Sequence, residues 1–194
     1  SCMTLLTSIM LANNEIGTIQ PIKALADAAH KRGSLFHTDA VQAIGHIPVN
    51  VKELGVDMLS ASAHKFNGPK GIGFFYDSGK HVYPHNDGGA QEDGMRAGTE
   101  NVAGIVGMAV ALKNNCARMG ENQRYIRLLE DRFMELMRQS GVDFIRNGSE
   151  HHLPGLISLS FKNQDGEKLL HRLDLMGISI STGAASVSYT HLRA

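Results

Sequence analysis

Short apolar runs alternate with amphipathic stretches through the first part of the chain. The apolar run 5–11 predicts a strand that leads into the polar turn 12–15. Pro21 is placed to open a helix with apolar residues at helical spacing, and Gly33 is placed to end it. Further apolar runs predict strands over 35–38, 57–62 and 72–76. Strands that alternate with helices indicate an α/β fold with a mostly parallel sheet.

The pattern changes in the second half of the chain. A long loop rich in Gly, Asp and Glu over 81–99 is typical of a functional or subunit-contact segment. A largely helical region over 100–139 follows, with a break predicted near Asn114 and Asn115. Beyond Gly141 the pattern predicts strands over 142–145, 156–161 and 178–180 and a helix over 167–176. We therefore predict a domain boundary inside the long helix, separating a large domain over 1–115 from a smaller α+β domain over 116–185.

Composition and charge exclude several classes of protein. Of the 194 residues, 42% are hydrophobic and 20% charged, which is typical of globular domains. The 19 basic residues balance the 19 acidic ones, which argues against an extended nucleic-acid or membrane surface. No apolar run approaches the ~18 residues of a membrane span. Because Cys2 and Cys116 cannot form a disulfide framework or a zinc motif, we expect a cytoplasmic protein without a metal site.

Polar side chains follow three of the predicted strands, namely Asn14, Asp39 and Lys65. In parallel sheets, ligands gather outside the carboxyl ends of the strands. A lysine directly after a buried strand is expected to be partly hidden, and a neutral amine can form a Schiff base with an aldehyde. Pyridoxal phosphate requires such a lysine and an acidic partner for its pyridine nitrogen. Taken singly, Lys65 also fits a surface lysine, and Asp39 fits a helix N-cap.

Several longer motifs occur together and in a defined order. With them, the sequence resembles the cysteine desulfurases, which are pyridoxal phosphate enzymes of fold type I in the class-V aminotransferase group. The resemblance extends over about residues 5–185 and is carried by the stretches 13–17 (NNEIG), 37–42 (HTDAVQ), 62–71 (SAHKFNGPKG), 94–101 (GMRAGTEN) and 153–155 (LPG). It implies an α/β fold of type I, with a partial large domain and a smaller C-terminal α+β domain.

The resemblance also implies roles for individual residues around the cofactor ring. Lys65 would be the Schiff-base lysine and the base that moves the substrate Cα proton. Asp39 would pair with the pyridinium nitrogen, and Gln42 would hydrogen-bond the phenolic oxygen. Asn14 would lie beside the ring, near the substrate carboxylate.

The remaining implied roles concern the cofactor phosphate. Ser62 and His64 would hold it within one subunit. Thr99 is predicted to begin a helix, and in the family the matching threonine reaches the phosphate of the neighbouring subunit, which implies a homodimer. A plain N-cap is the alternative role for Thr99.

The implied activity is removal of sulfur from L-cysteine, giving alanine and an enzyme persulfide. The sulfur would pass to acceptor or scaffold proteins for iron–sulfur cluster assembly or tRNA thiolation. Two alternatives remain open at this point. One is a related class-V enzyme, such as a selenocysteine lyase or an aminotransferase, and the other is a non-catalytic remnant that binds pyridoxal phosphate.

The chain departs from the family pattern near its end. In the family a catalytic cysteine directly follows a run that here reads Ser-Thr-Gly-Ala-Ala over 181–185, but the next residue is Ser186. A hydroxyl cannot carry a persulfide. Residues 187–194 do not resemble the family, so we predict a foreign tail over 186–194. Because the family's proteins are longer, we expect a fragment that lacks activity alone.

Overall fold

A computed structural model describes residues 4–79 and 82–183 of the chain. Its larger part is built on a four-stranded sheet in the order of the sequence, whose strands are β1 (Leu6–Met10), β2 (Leu35–Asp39), β3 (Met58–Ser62) and β4 (Gly73–Asp77). The first three strands are parallel, and β4 runs antiparallel to β3. The predicted strands are confirmed to within one or two residues, and the sheet is mostly parallel as expected.

Two helices connect the parallel strands. Helix α1 (Ile22–His30) begins after Pro21, whose fixed φ suits a helix start. It buries Ile22 and Ala26, which are four residues apart and therefore on one side of the helix. The short helix α2 (Val51–Leu54) is capped by Asn50, whose side chain accepts hydrogen bonds from two backbone N–H groups of the first turn.

The two faces of the sheet differ in character. Side chains alternate along a strand, so Phe36 and Thr38 lie on one face while His37 and Asp39 lie on the other. The first face is covered by α1 and by the turn after β2, and it forms the core, whose fully buried members include Ile22, Ala26, Phe36, Leu59 and Phe66. The second face carries polar side chains toward the carboxyl ends of the strands.

The long helix α3 (Val102–Gln139) runs without interruption. The predicted break at Asn114 and Asn115 is therefore wrong. The side-chain amide of Asn115 donates to the carbonyl oxygen of Ala111, one turn earlier, at 2.8 Å and to that of Phe66 at 2.7 Å. Since this polar side chain is satisfied without opening the helix, α3 continues through it. No helix in the described ranges is long and apolar enough to cross a membrane.

A smaller unit follows α3. Strands β5 (Phe144–Arg146) and β6 (Leu159–Phe161) form an antiparallel pair, and helix α4 (Gly166–Leu175) is capped by Asp165. The strand predicted over 178–180 is wrong, because within the described part of the chain this segment pairs with no other strand. The boundary near residue 115 stays a prediction, and the predicted tail over 186–194 lies outside the described residues.

Candidate active site

The turn that carries Lys65 begins directly where β3 ends. Ala63–Phe66 forms a single 3-10 turn, closed by a hydrogen bond of 2.8 Å from the Gly68 N–H to the Ala63 carbonyl oxygen. A Cβ atom on Gly68 would lie 2.8 Å from the Cβ of Ala63 and 2.9 Å from its carbonyl oxygen, so this turn requires glycine. Ala63 and Phe66 are fully buried and anchor the turn.

The two residues between Ala63 and Phe66 face outward, because the buried side chains on either side of them face the core. His64 and Lys65 are both exposed. The expectation that Lys65 is hidden after its strand is therefore wrong, because the buried residues of the turn flank it and the described residues place no cover over it. The amine is left accessible from solvent at the carboxyl edge of the sheet.

Two hydrogen bonds define the surroundings of the lysine. The Ser62 hydroxyl lies 2.8 Å from Nδ1 of His64, so both side chains lie together at the end of β3. Nε2 of His46 lies 2.7 Å from the carbonyl oxygen of Lys65. Both contacts hold the turn while leaving the Lys65 amine free for chemistry.

Asp39 ends the neighbouring strand β2. Its backbone carbonyl accepts the Leu11 N–H at 2.7 Å, which fixes it against the segment that follows β1. Its Oδ1 accepts the Val41 N–H at 2.9 Å, but residues 41–46 form turns and not a helix, so the helix N-cap alternative for Asp39 is wrong. No hydrogen bond to Oδ2 occurs among the described residues. One carboxylate oxygen therefore remains for a ligand.

Asn14 lies in the loop after β1. The preceding residue shapes this loop, because Oδ1 of Asn13 accepts the backbone N–H groups of Glu15 at 2.8 Å and Ile16 at 2.9 Å. Gly17 has a φ of +74°, in the left-handed region that favours glycine. Asn14 itself is half-buried.

Gln42 lies in the turn that follows Asp39 and is half-buried. It lines a cavity of about 550 Å³ between this turn, the middle of α3 and the loop 153–156. Amide side chains are frequent in the lining, which includes Asn67, Asn115 and Asn122. The cavity therefore offers hydrogen-bonding groups beside the sheet edge.

Thr99 is placed differently from the other candidates. The prediction that it begins a helix is wrong, because α3 starts at Val102 and the Asn101 side chain caps it by accepting the Gly104 N–H at 3.0 Å. The N-cap alternative for Thr99 is excluded for the same reason. Thr99 is exposed, in the segment that leads into α3 and outside the four-stranded sheet.

His37 belongs to this site region, and the sequence assigned it no role. Its Nδ1 lies 2.7 Å from the Ser8 hydroxyl and its Nε2 lies 2.6 Å from the Ser60 hydroxyl, so the ring joins β1, β2 and β3. The ring of Phe75 stacks on it at 6.1 Å. Burial lowers the pKa of His37, and the nearby Asp39 carboxylate offsets this only in part. Burial therefore favours the neutral form of the ring.

A signal for this arrangement was present in the sequence. Ser8 and His37 are register partners, and Ser60 is the register partner of Asp39, two positions further along β2. Ser8 lies opposite His37 and Ser60 lies diagonal to it on the same face, so polar residues on three neighbouring apolar strands indicate a shared polar row. The strand register had to be known before the row could be recognised.

The strand order brings most of the predicted site residues to one edge. Parallel β1, β2 and β3 are neighbours, so their carboxyl ends meet. Six predicted residues follow these ends within a few positions, namely Asn14, Asp39, Gln42, Ser62, His64 and Lys65. An amine, a carboxylate and several hydrogen-bond donors are thereby combined, which is a set suited to a phosphate-bearing aldehyde cofactor.

Comparison with known proteins agrees with this fold and site. The family model described as aminotransferase class-V matches residues 2–194. The cysteine desulfurase IscS of Dictyoglomus turgidum is 49% identical over 95% of this chain and 48% of its own length. The cysteine desulfurase IscS of Methanosarcina thermophila is 46% identical over 94% of this chain and 45% of its own. The chain thus spans about half the length of the curated relatives it matches.

Solved structures show the same relationship. A NifS-like protein superposes with a TM-score of 0.86 at 42% identity, covering 92% of this chain and 50% of its own. DndA from Streptomyces lividans superposes with a TM-score of 0.75 at 33% identity, covering 89% of this chain and 50% of its own. The fold is that of the type I pyridoxal phosphate enzymes, with part of the large domain present. The chain belongs to the class-V aminotransferase family.

Proposed function

We propose that this protein is a pyridoxal phosphate-dependent cysteine desulfurase that transfers sulfur from L-cysteine. The observation that carries the proposal is the placement of Lys65 and Asp39 at the carboxyl ends of adjacent parallel strands. Relatives at 49% and 46% identity are named cysteine desulfurases, which supports the choice of this activity within the family.

The donor set fits the cofactor. Proteins of this family depend on pyridoxal phosphate. A Schiff base with an aldehyde requires an amine that no other group holds. Lys65 makes no side-chain hydrogen bond or ion pair within the described part of the chain. A pyridinium nitrogen calls for a carboxylate, and Asp39 keeps one oxygen without a hydrogen bond there. Hydroxyl and imidazole groups of Ser62 and His64 suit a phosphate.

Lys65 and Asp39 would share the proton chemistry. When bound, pyridoxal phosphate supplies a sink for the electrons left at the substrate Cα. Lys65 would hold the cofactor covalently and, once released by substrate, accept the Cα proton with its amine. Asp39 would keep a proton on the ring nitrogen by placing a negative charge beside it. The hydrogen bond that it accepts from the Val41 N–H fixes the direction of the carboxylate.

The other residues would bind and orient. Ser62 and His64 would donate hydrogen bonds to the phosphate from the end of β3. Gln42 would donate to the phenolic oxygen from the turn after Asp39. Asn14 would contact the substrate carboxylate from the loop after β1. Orientation of this kind accelerates a reaction because the reacting groups no longer need to find their geometry by diffusion.

The sulfur-transfer step needs a thiol. L-Cysteine and a thiol give L-alanine and a persulfide, with the Cβ–S bond broken, an S–S bond formed and a proton returned to Cβ. In the family pattern the thiol follows Ala185, but here Ser186 stands there. A serine hydroxyl cannot accept the sulfur, so a chain that carries Ser186 needs a thiol from another residue or molecule, whereas a native segment in place of the predicted foreign tail would supply the thiol at this position.

This departure favours one second candidate. A selenocysteine lyase or another class-V lyase forms no protein persulfide and would not need a cysteine at position 186. Such an enzyme would release selenium or sulfur at the zero-valent level, and two equivalents of a thiol in solution would reduce it to selenide or sulfide while forming a disulfide. The Lys65 and Asp39 chemistry would be the same for both candidates.

A homodimer is the proposed assembly. Val102, Val106 and Val110 lie four residues apart along one side of α3 and are 65%, 56% and 54% exposed. An exposed apolar stripe of this kind is typical of a protein interface. Thr99, exposed just before this stripe, would reach the phosphate of the second subunit. The stripe and Thr99 would then lie in one interface.

Partners and location follow from the proposed activity. Sulfur would pass to acceptor or scaffold proteins of iron–sulfur cluster assembly or tRNA thiolation. The balanced charge of the chain supports protein partners over direct nucleic-acid or membrane contact. We place the protein in the cytoplasm, because an exposed Cys116 without a disulfide among the described residues suits a reducing compartment.

The proposal is tested with the protein at its native length, loaded with pyridoxal phosphate. Alanine, sulfide and selenide are measured with L-cysteine or L-selenocysteine as substrate, with and without a small-molecule thiol. Thiol-dependent alanine from L-cysteine, enhanced in S186C, is the expected result. Activity confined to L-selenocysteine would identify the lyase. Cofactor binding without either product would identify a non-catalytic remnant.

A further inference from the structure

Glu130 is the single buried charged residue in the described part of the chain, with 6% of its surface exposed. It lies in the second half of α3. Its Oε2 accepts the Gly155 N–H at 2.8 Å. Its Oε1 is bound by Nε2 of His152 at 2.6 Å and by the guanidinium of Arg146. We call these three side chains the Glu130 cluster.

The cluster keeps the Glu130 carboxylate ionised. Burial alone would raise the pKa of Glu130, but the hydrogen bonds from Gly155, Arg146 and His152 together lower it. An ion cluster of this kind adds little stability compared with apolar packing, because desolvation offsets most of the attraction. Its better-attested use is to fix one arrangement of the chain.

The arrangement that it fixes is the loop 147–156. Nδ1 of His152 lies 2.7 Å from the carbonyl oxygen of Glu150, within the loop, while Nε2 is bound to Glu130. The bond to Gly155 attaches the Leu-Pro-Gly segment to the same carboxylate. Glu130 therefore holds two points of this loop against α3.

The held loop in turn contacts the loop that carries Asn14. The Leu153 N–H donates to the Gly17 carbonyl oxygen at 2.9 Å, and the Ile19 N–H donates to the His151 carbonyl oxygen at 3.0 Å. The Ser149 N–H donates to the Thr18 hydroxyl at 3.1 Å. These bonds connect residues more than a hundred positions apart in the sequence.

The approach of the two loops is also close. A Cβ atom on Gly148 would lie 2.5 Å from the Ile16 carbonyl oxygen, so only glycine fits there. Asn13 shapes its own loop through local bonds, but those bonds do not place that loop against the rest of the protein. The base of that loop is anchored at Leu11, whose N–H donates to the Asp39 carbonyl oxygen at 2.7 Å, while its outer part is held by the contacts with the loop 147–156.

We propose that Glu130 is a positioning residue that holds Asn14 in place, acting through the loop 147–156. This inference rests on the proposed function for its effect on substrate, since Asn14 is there assigned to the substrate carboxylate. Loss of the cluster would free the Asn14 loop without altering Lys65 or Asp39. Substrate binding would then weaken while the chemical step keeps its rate.

The experiment compares E130Q with E135Q in the native-length protein. Glu135 lies on the same helix in an exposed ion pair with Arg132 at 3.0 Å and touches neither loop, so it is the matched control. Hydrogen exchange is measured without cofactor at the amides of Ile19 and Leu153, with the amide of Ala40, which donates to the Ser60 carbonyl oxygen at 2.9 Å, as the internal reference. We expect E130Q to speed exchange at Ile19 and Leu153 by about ten-fold or more, with Ala40 and E135Q unchanged.

Kinetics of the loaded enzyme supply the second readout. We expect E130Q to raise KM for the amino acid by about five-fold or more and to leave kcat within about two-fold. T18V, which removes only the hydroxyl that accepts the Ser149 N–H, should speed the same two amides to a smaller extent. It replaces E130Q in the exchange test if that variant does not fold.

The possible outcomes separate this inference from the proposed function. Unchanged exchange at Ile19 and Leu153, or equal acceleration at Ala40, would overturn the positioning role whatever the activity of the enzyme. A fall in kcat with an unchanged KM would also overturn it. An inactive wild type would reject the proposed function, while the exchange comparison would still decide whether Glu130 holds the Asn14 loop.

Discussion

Nε2 of His46 lies 2.7 Å from the carbonyl oxygen of Lys65 and donates a hydrogen bond to the backbone of the lysine turn. The carbonyl oxygen of His46 accepts the side-chain amide of Gln123 at 2.5 Å, so the contact continues into α3. The Lys65 backbone is thereby held from the side of the long helix while its side chain stays exposed. A fixed backbone with a free amine is what covalent attachment of a cofactor requires.

Lys65→Ala is expected to abolish covalent attachment of pyridoxal phosphate and turnover, because no other group at the site supplies the amine. The check is the visible absorbance of the native-length protein and the mass of the borohydride-treated protein. Lys70→Ala is the control, since Lys70 is exposed in the same segment but lies beyond the turn. A borohydride-fixed adduct in K65A would contradict the assignment.

Asp39→Ala is expected to lower kcat by about 100-fold or more, in the range seen when one stabilising group for developing charge is removed. Cofactor affinity should fall much less, because the proposed phosphate ligands Ser62 and His64 and the covalent bond to Lys65 would remain. D39N separates the effect of the charge from that of the turn hydrogen bond, since it keeps an acceptor for the Val41 N–H. Titration with cofactor and steady-state kinetics measure both quantities, and an unchanged kcat in D39N would show that the charge is not used.

His37 is expected to make stability depend on pH. The pKa of His37 in the folded protein is lowered from 6.5, its ordinary value in the unfolded chain. At a pH between the folded and the unfolded pKa, the unfolded chain therefore binds more protons than the folded protein. The contribution to stability is therefore present above pH 6.5 and is lost as the pH falls toward the folded pKa. Urea unfolding across this range should show that the free energy of unfolding falls as the pH falls in the wild type and not in H37Q. H171Q, which changes an exposed histidine, is the control and should behave like the wild type. The same slope in H37Q would exclude His37 as its source.

Glu130 is expected to make the folding stability depend on pH in the acidic range. Its folded pKa is lowered below 4.5, so its contribution to stability is present above pH 4.5 and lost as the pH falls through the folded value. Acid unfolding of the wild type should be steeper in this range than that of E130Q. E135Q should follow the wild type, and a wild-type curve that coincides with E130Q would contradict the prediction.

The valine stripe on α3 is expected to form the dimer interface. Val106→Asp places a charge in the stripe and should convert the dimer into a monomer, because burying an unpaired carboxylate costs more than the contact stabilises. Val142→Asp is the control, since Val142 is 50% exposed in the smaller unit. Sedimentation of the native-length variants gives the masses. A V106D variant that remains dimeric would show that the interface lies outside the valine stripe.

The sequence placed the strands and most of the site close to where the structure has them. Short apolar runs bounded by polar turns identify strands because alternation and burial act over a few neighbouring residues. The polar residues after these runs, Asn14, Asp39 and Lys65, then follow from the rule that ligands bind at the carboxyl ends of parallel strands. The family resemblance, carried by contiguous motifs, was confirmed for the same reason.

Features that depend on distant contacts were missed or wrong. Asn115 was taken as a helix break, but its amide is satisfied by Phe66, 49 residues away. Thr99 was taken as a helix start, but the neighbouring Asn101 caps α3. These two predictions failed for different reasons. Predicting an unbroken helix at Asn115 required knowledge of a tertiary contact, whereas predicting the start of α3 required a choice among several adjacent residues that can cap a helix.

The sequence by itself determined the order of the elements, the family and the residue types of the site, because these depend on local patterns. Only the tertiary structure decided that Lys65 is exposed, that His37 joins three strands and that Glu130 holds a loop against the one carrying Asn14. Burial and hydrogen bonding of a side chain are set by groups brought in from other parts of the chain. No local pattern around Glu130 specifies that Arg146, His152 and Gly155 will meet it.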